Sequence, residues 1–137
     1  VNLAALAAAI ARGGVYEKPC LVNEVRNDKD SHQRVLPLHI AKELQEMMEL
    51  TVADGTGKKA QISGLGSAGK TGSAETGRKD EDGKPVIDSW FVGYTPLEKP
   101  QMAIAVFVEG GGSGGDCAAV IFKEIIELLI KTGINAE

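Results

Sequence analysis

Four glycines, at 64, 66, 69 and 72, surround Lys70 and Thr71, and no apolar residue larger than alanine follows Thr71 until Pro85. A glycine inside a helix costs about 1 kcal/mol relative to alanine, and a helix without an apolar face has nothing to hold it against a core. The middle of the chain is therefore expected to be extended or looped rather than helical. That expectation bears on two motifs spelled by residues 64–71. Gly64, Gly69, Lys70 and Thr71 satisfy the phosphate-binding pattern G-x-x-x-x-G-K-[ST], which needs a helix starting at its lysine to offer amide donors to phosphates. A P-loop nucleotide-binding protein remains an alternative, with residues 103–108 and Glu109 as a weak acidic magnesium strand, but the local sequence opposes it. Ser67 and Lys70 stand at the spacing of a serine nucleophile and a lysine base one helical turn apart. The same glycines oppose that turn, and the match reads as accidental.

Bulk composition excludes other classes. The 15 basic and 19 acidic residues give a net charge of −4 and are scattered, so nucleic-acid binding through phosphate neutralisation is not expected. At 137 residues and 43% hydrophobic content the chain is one domain or part of one. Cys20 and Cys117 lie far apart and form no ligand-like cluster; each is expected to be a small buried apolar residue, and neither a metal nor a cofactor is implied. The apolar stretch 3–11 is too short to span a bilayer and lacks the basic flank of a signal peptide. A start at Val1, directly into a helix, suggests a piece of a longer protein.

Along the chain, Asn2 is expected to cap an alanine-rich helix with no polar face, ended by Gly13 and Gly14. A helix apolar all round needs burial on all sides, more than a domain this small readily supplies. An extended segment is expected from Tyr16 through Cys20 to Val25, with a polar turn at residues 27–30. The next helix, from about Pro37 to Asp54, lines up Ile40, Ala41, Leu44, Met47, Met48 and Val52, with both methionines read as core. Residues 75–84, seven of them charged, read as a solvated loop. Two strands follow, 90–94 and 102–108, the second apolar on both faces and therefore expected to be central and covered. Asp116 is expected to cap a last helix whose narrow polar stripe is Lys123, Glu124, Glu127 and Lys131. The fold class is α/β of the α+β type: antiparallel strands with a covering C-terminal helix. His32 and His39 read as surface residues, Trp90 as packing and Glu109 as a strand-end charge.

Lys70-Thr71-Gly72 is weak as a triplet, but its context is specific. Ser73-Ala74-Glu75 continues it, a polar segment follows, then Trp90-Phe91-Val92-Gly93-Tyr94-Thr95-Pro96, a second strand and a terminal helix. Upstream, the alanine-rich helix, Gly13-Gly14-Val15-Tyr16, Lys18-Pro19, Leu21-Val22 and the stretch from Val52 to Gly57 fit the same order. In these features the chain resembles the C-terminal part of a penicillin-binding protein transpeptidase domain, over nearly its whole length. The resemblance implies an incomplete portion of that fold, with the part bearing the nucleophile absent and the chain inactive by itself. It implies a D,D-transpeptidase that cross-links peptidoglycan stem peptides by serine acyl transfer, binds β-lactams and works on the extracytoplasmic face of the bacterial membrane. A β-lactamase, a β-lactam sensor domain or a non-catalytic interaction module would share the strand. By resemblance, Lys70 is catalytic, orienting a hydroxyl and attracting the substrate carboxylate, and the Ser73 backbone N–H is half of an oxyanion hole. Thr71, Gly72 and Ser73 bind substrate. Alternation puts the Thr71 and Ser73 hydroxyls on one face, and Gly72 leaves room for a substrate backbone. The implied partners are the stem peptide, β-lactams and the rest of the same domain; without the last, dimerisation, strand exchange or a loosely packed N-terminal region is expected.

Overall fold

The computed structural model describes residues 1–20 and 32–133. Helix α1 (Asn2–Ala11) is built largely from alanine, the strongest helix former. Its cap position is Val1, not Asn2, because the hydrogen-bond ladder already starts with Ala5 N donating to Val1 O (3.0 Å). Gly13 and Gly14 end it at φ 67° and 91°, the left-handed region that costs glycine nothing. Ala7, Ala9 and Ile10 are buried, whereas Leu3 and Leu6 are 40% and 50% exposed. Strands β1 (Val15–Glu17) and β2 (His32–Arg34) form a short antiparallel pair beside it. The expected extension beyond Cys20 to Val25 and the polar turn at 27–30 lie outside the described residues. Cys20 itself is exposed, against the expectation of burial.

Helix α2 (Leu38–Ala53) turns Ala41, Met48 and Val52 inward, spaced as one helical face demands. Met47, expected in the core, is 61% exposed, because it falls to the side of that stripe. Gln45 does what the sequence did not suggest: its Nε2 donates to Ile10 O (2.7 Å) and Ala11 O (3.2 Å), satisfying carbonyls left open at the end of α1.

The main sheet has the order β3-β4-β5, antiparallel throughout, with β3 at Ala68–Lys79, β4 at Pro85–Thr95 and β5 at Met102–Val108. Helix α3 (Ala118–Lys131) covers one face. There Phe91, Val106, Phe122 and Ile126 form the larger core with Val52, Ala60 and Ile62, the Phe91 and Phe122 rings lying 4.8 Å apart. On the other face Ala68 and Tyr94 pack with Ile10 and Met48. Among the described strands β4, not β5, is central. β5 is apolar on both sides because α1 and α3 lie against opposite faces of it, not because strands flank it.

Two further expectations change. The loop expected at 75–84 shrinks to a turn at 80–84, and β3 and β4 continue outward as a ribbon. Charged side chains need no burial on such a ribbon, while the backbone ladder, Thr76 Oγ1 donating to Val86 O (2.9 Å) and the Arg78–Glu109 ion pair (2.7 Å) hold it. Nor does Asp116 cap α3. Cys117 holds the cap position without a side-chain bond, and the fully buried Ser89 of β4 accepts from Ala118 N (3.1 Å) through its hydroxyl. The helix start is thus tied to the sheet rather than to its own neighbour.

Burial, and secondarily the charge of Glu49, pushes the Tyr94 phenol up from 10.0 to about 12. Folded Tyr94 keeps its proton where the unfolded chain loses it, so stability is untouched below pH 10 and falls as pH rises from 10 towards 12. The loss is on the order of 2 kcal/mol across that window. Urea unfolding of the parent and of Tyr94→Phe through the alkaline range is expected to show the parent falling more steeply.

Candidate functional site

Ser67 is buried just before β3, its hydroxyl donating to Ala60 O (2.7 Å) at the end of a 3₁₀ turn, Lys58–Ala60. Lys70 is in extended backbone, opposite Val92. The serine–lysine helical turn is therefore absent, and so is the helix that a P-loop at residues 64–71 requires: the chain from Ala68 to Lys79 is strand. The glycines and the polar run after Thr71 dictate that outcome, as their lack of an apolar face demands.

Along β3, alternation separates the side chains as expected. Lys70 and Gly72 share the face of Val92 and Trp90; Thr71 and Ser73 share the face of Phe91 and Ser89. Lys70 is exposed, and its Nζ reaches the strand edge to donate to Thr71 O (2.8 Å). It borders an apolar groove of about 390 Å³ between α1 and α2, lined also by Leu6, Ile10, Met47 and Thr51. The N–H and C=O of one strand residue point to the same side and reverse at the next. Since Thr71 O faces the edge away from β4, the Ser73 N–H faces it too.

Both hydroxyls on the other face are engaged from behind. Thr71 Oγ1 lies 2.6 Å from Thr56 Oγ1, and Ser73 Oγ accepts from Gly114 N (3.0 Å). Gly72 is tightly flanked: a Cβ there would sit 3.2 Å from Trp90 Cβ. Trp90 packs on Phe107, ring centroids 4.3 Å apart. His39 is exposed on α2 and His32 exposed on β2, and Glu109 pairs with Arg78 at the strand end. Among the described residues no three His, Cys, Asp or Glu side chains gather where a metal could bind.

Sequence reasoning did not find Thr56, Gly114 or the pair Lys59–Asp116 (2.8 Å), which ties the 3₁₀ turn to the loop before α3. The hydrogen bond and charge of Lys59, helped by Ser113, hold the Asp116 carboxyl below the usual carboxylate range. The tie persists at neutral pH and is lost as pH falls through that lowered value. Only Thr56, between two glycines in the stretch that carried the resemblance, left a signal, and its partner 15 residues on could not be read from it.

Residues 1–127 match the family described as the penicillin binding protein transpeptidase domain. The peptidoglycan D,D-transpeptidase PbpA of Mycolicibacterium smegmatis is 29% identical over 95% of this chain and 29% of its own length. The chain thus spans less than a third of that relative. The transpeptidase domain of Burkholderia pseudomallei penicillin-binding protein 3 superposes with a TM-score of 0.75 at 28% identity, over all of this chain and 44% of that one. Penicillin-binding protein A of Mycobacterium tuberculosis, solved as a ceftriaxone acyl-enzyme complex, gives 0.71 at 30% identity, over 90% of this chain and 30% of that one.

Gly114 rides over the β3–β4 ladder, where an added Cβ would collide with Gly72 O and stand 2.6 Å from Trp90 O. Backbone oxygens cannot yield as a flexible side chain would, so Gly114→Ala is expected to cost about 2 kcal/mol or more. Chemical denaturation reads that cost, and amide exchange should show Gly114 N unprotected as its bond to Ser73 is lost.

Proposed function

Because the chain belongs to the penicillin-binding protein transpeptidase domain family, we propose that it forms the Lys-Thr-Gly wall of a serine D,D-transpeptidase that cross-links peptidoglycan stem peptides and is acylated by β-lactams. The observation that carries this reading is β3: an edge strand among the described residues, with Lys70 at its rim and the Thr71 and Ser73 hydroxyls together on one face. The nucleophilic serine comes from the part of the domain outside this chain. Its Oγ attacks the penultimate D-Ala carbonyl, the C–N bond to the terminal D-Ala breaks and that amine leaves with a proton. An acceptor amine then attacks the ester, forming the cross-link and restoring the serine.

In that sequence Lys70 supplies a fixed cation that orients a hydroxyl and attracts the terminal carboxylate, to which Thr71 and Ser73 donate hydrogen bonds. The Ser73 N–H, directed to the strand edge, is one donor to the oxyanion; the nucleophile's own N–H is the other. Gly72 lets the stem peptide lie along β3 as an added strand. The whole protein works on the outer face of the bacterial membrane; no helix among the described residues is long and apolar enough to cross one. The bare Leu3 and Leu6, with the outer edge of β5, favour dimerisation or strand exchange of the isolated chain. Sedimentation of a compact monomer, with the amides of α1 strongly protected, would speak against that.

In the full-length enzyme, Lys70→Ala is expected to slow β-lactam acylation by about a hundredfold or more with little change in melting temperature; equal rates at matched folding would remove Lys70 from the mechanism. The 137-residue chain alone, incubated with a fluorescent penicillin, should show no adduct by intact mass. A stoichiometric adduct on Ser67 would overturn the proposal that the nucleophile lies elsewhere.

A further inference from the structure

Thr56 sits between Gly55 and Gly57 in the turn after α2, and its backbone is held on several sides. Gly57 N donates to Thr51 O (2.9 Å), and a Cβ on Gly57 would stand 3.3 Å from the Phe91 ring. Gly115 lies so close over Thr56 O that no side chain fits there, and Lys59–Asp116 ties the same two segments together. The Thr56 hydroxyl is therefore placed by the fold, 2.6 Å from that of Thr71.

A hydroxyl has one proton and two acceptor lone pairs. An ionised carboxylate only accepts, so a Thr71 that binds one has spent its single proton on it. The contact with Thr56 can then have only one direction. We infer that Thr56 is a positioning residue for substrate: its hydroxyl donates to Thr71 Oγ1 and leaves the Thr71 proton aimed at the carboxylate of the stem peptide or β-lactam. The inference rests on the role given to Thr71 above. A donor behind a hydroxyl fixes its direction and also polarises it, so the outgoing bond strengthens. Ser73 is arranged in parallel, its Oγ accepting from Gly114 N with its proton left for an acceptor (3.0 Å). Each hydroxyl on this face thus has one donor behind it, an O–H for Thr71 and an N–H for Ser73.

The test uses the complete enzyme and the second-order acylation rates of a penicillin bearing its free carboxylate and of its methyl ester. Thr56→Val keeps the shape and removes the donor; it is expected to slow the free acid by about tenfold and the ester by less than about twofold. Thr56→Ser should restore the free-acid rate, and Thr71→Val should reproduce the loss. Thermal melting confirms folding, with Thr56→Ala used in place of a valine variant that does not fold. Equal slowing of acid and ester by Thr56→Val would make the residue structural and overturn the inference. So would a loss in Thr71→Val with none in Thr56→Val, although Thr71 would keep its role. Unchanged rates in Thr71→Val would instead remove Thr71 from carboxylate binding, and the inference with it.

Discussion

The Phe91 ring is the fixed point from which the site is measured. It is fully buried on β4, packed on Phe122 of α3, and three glycines make way for it. A Cβ at Gly69 would lie 2.7 Å from its Cε1, one at Gly93 2.9 Å from the same atom, and one at Gly57 3.3 Å from its Cε2. Those glycines sit on β3 just before Lys70, on β4 itself and in the turn that carries Thr56. One aromatic side chain thereby sets the distance between the strand, its neighbour and the turn. Losing a ring of this kind removes about 3–5 kcal/mol, and here it would also undo the spacing on which the Thr56–Thr71 pair depends.

Around that point the candidate site is assembled from pieces that do not adjoin in sequence. The turn after α2 brings Thr56, the loop before α3 brings Gly114, and β3 brings the two hydroxyls that these groups support. The loops also hold each other, through Gly115 against Thr56 O and through Lys59–Asp116. The last is an exposed ion pair, screened by salt and modest by nature. The close backbone packing of glycines is the more durable part of the arrangement.

What the sequence made legible follows from what was local. Glycines at 64, 66, 69 and 72, and the absence of any apolar face after Thr71, excluded a helix, and β3 runs where they said an extended chain must. The presence of α1, α2 and α3 followed from their apolar content, and their C-terminal ends from the glycines at 13, 55 and 133. Errors arose where a distant partner overrode a local signal. Asp116 looked like a cap, but Ser89, 29 residues away, binds Ala118 N and leaves Asp116 to Lys59. Met47 had a core residue's composition but lies off the buried stripe. β5 was apolar on both faces for two helices' sake. The charged run after Glu75 lacked any hydrophobic alternation, so its strand character, which rests on backbone pairing with residues 85–87, had no side-chain signature.

The ladder between β3 and β4 shifts register between Glu75 and Lys79, around Gly77 at φ 74°. In a strand, one residue gained or lost turns every later side chain to the opposite face. A bulge absorbs such a change locally. Here it lies between the ribbon's tip and the Lys70–Ser73 segment, so it acts as a clutch. The tip can lengthen, shorten or exchange its charges without reorienting the side chains of Lys70, Thr71 and Ser73.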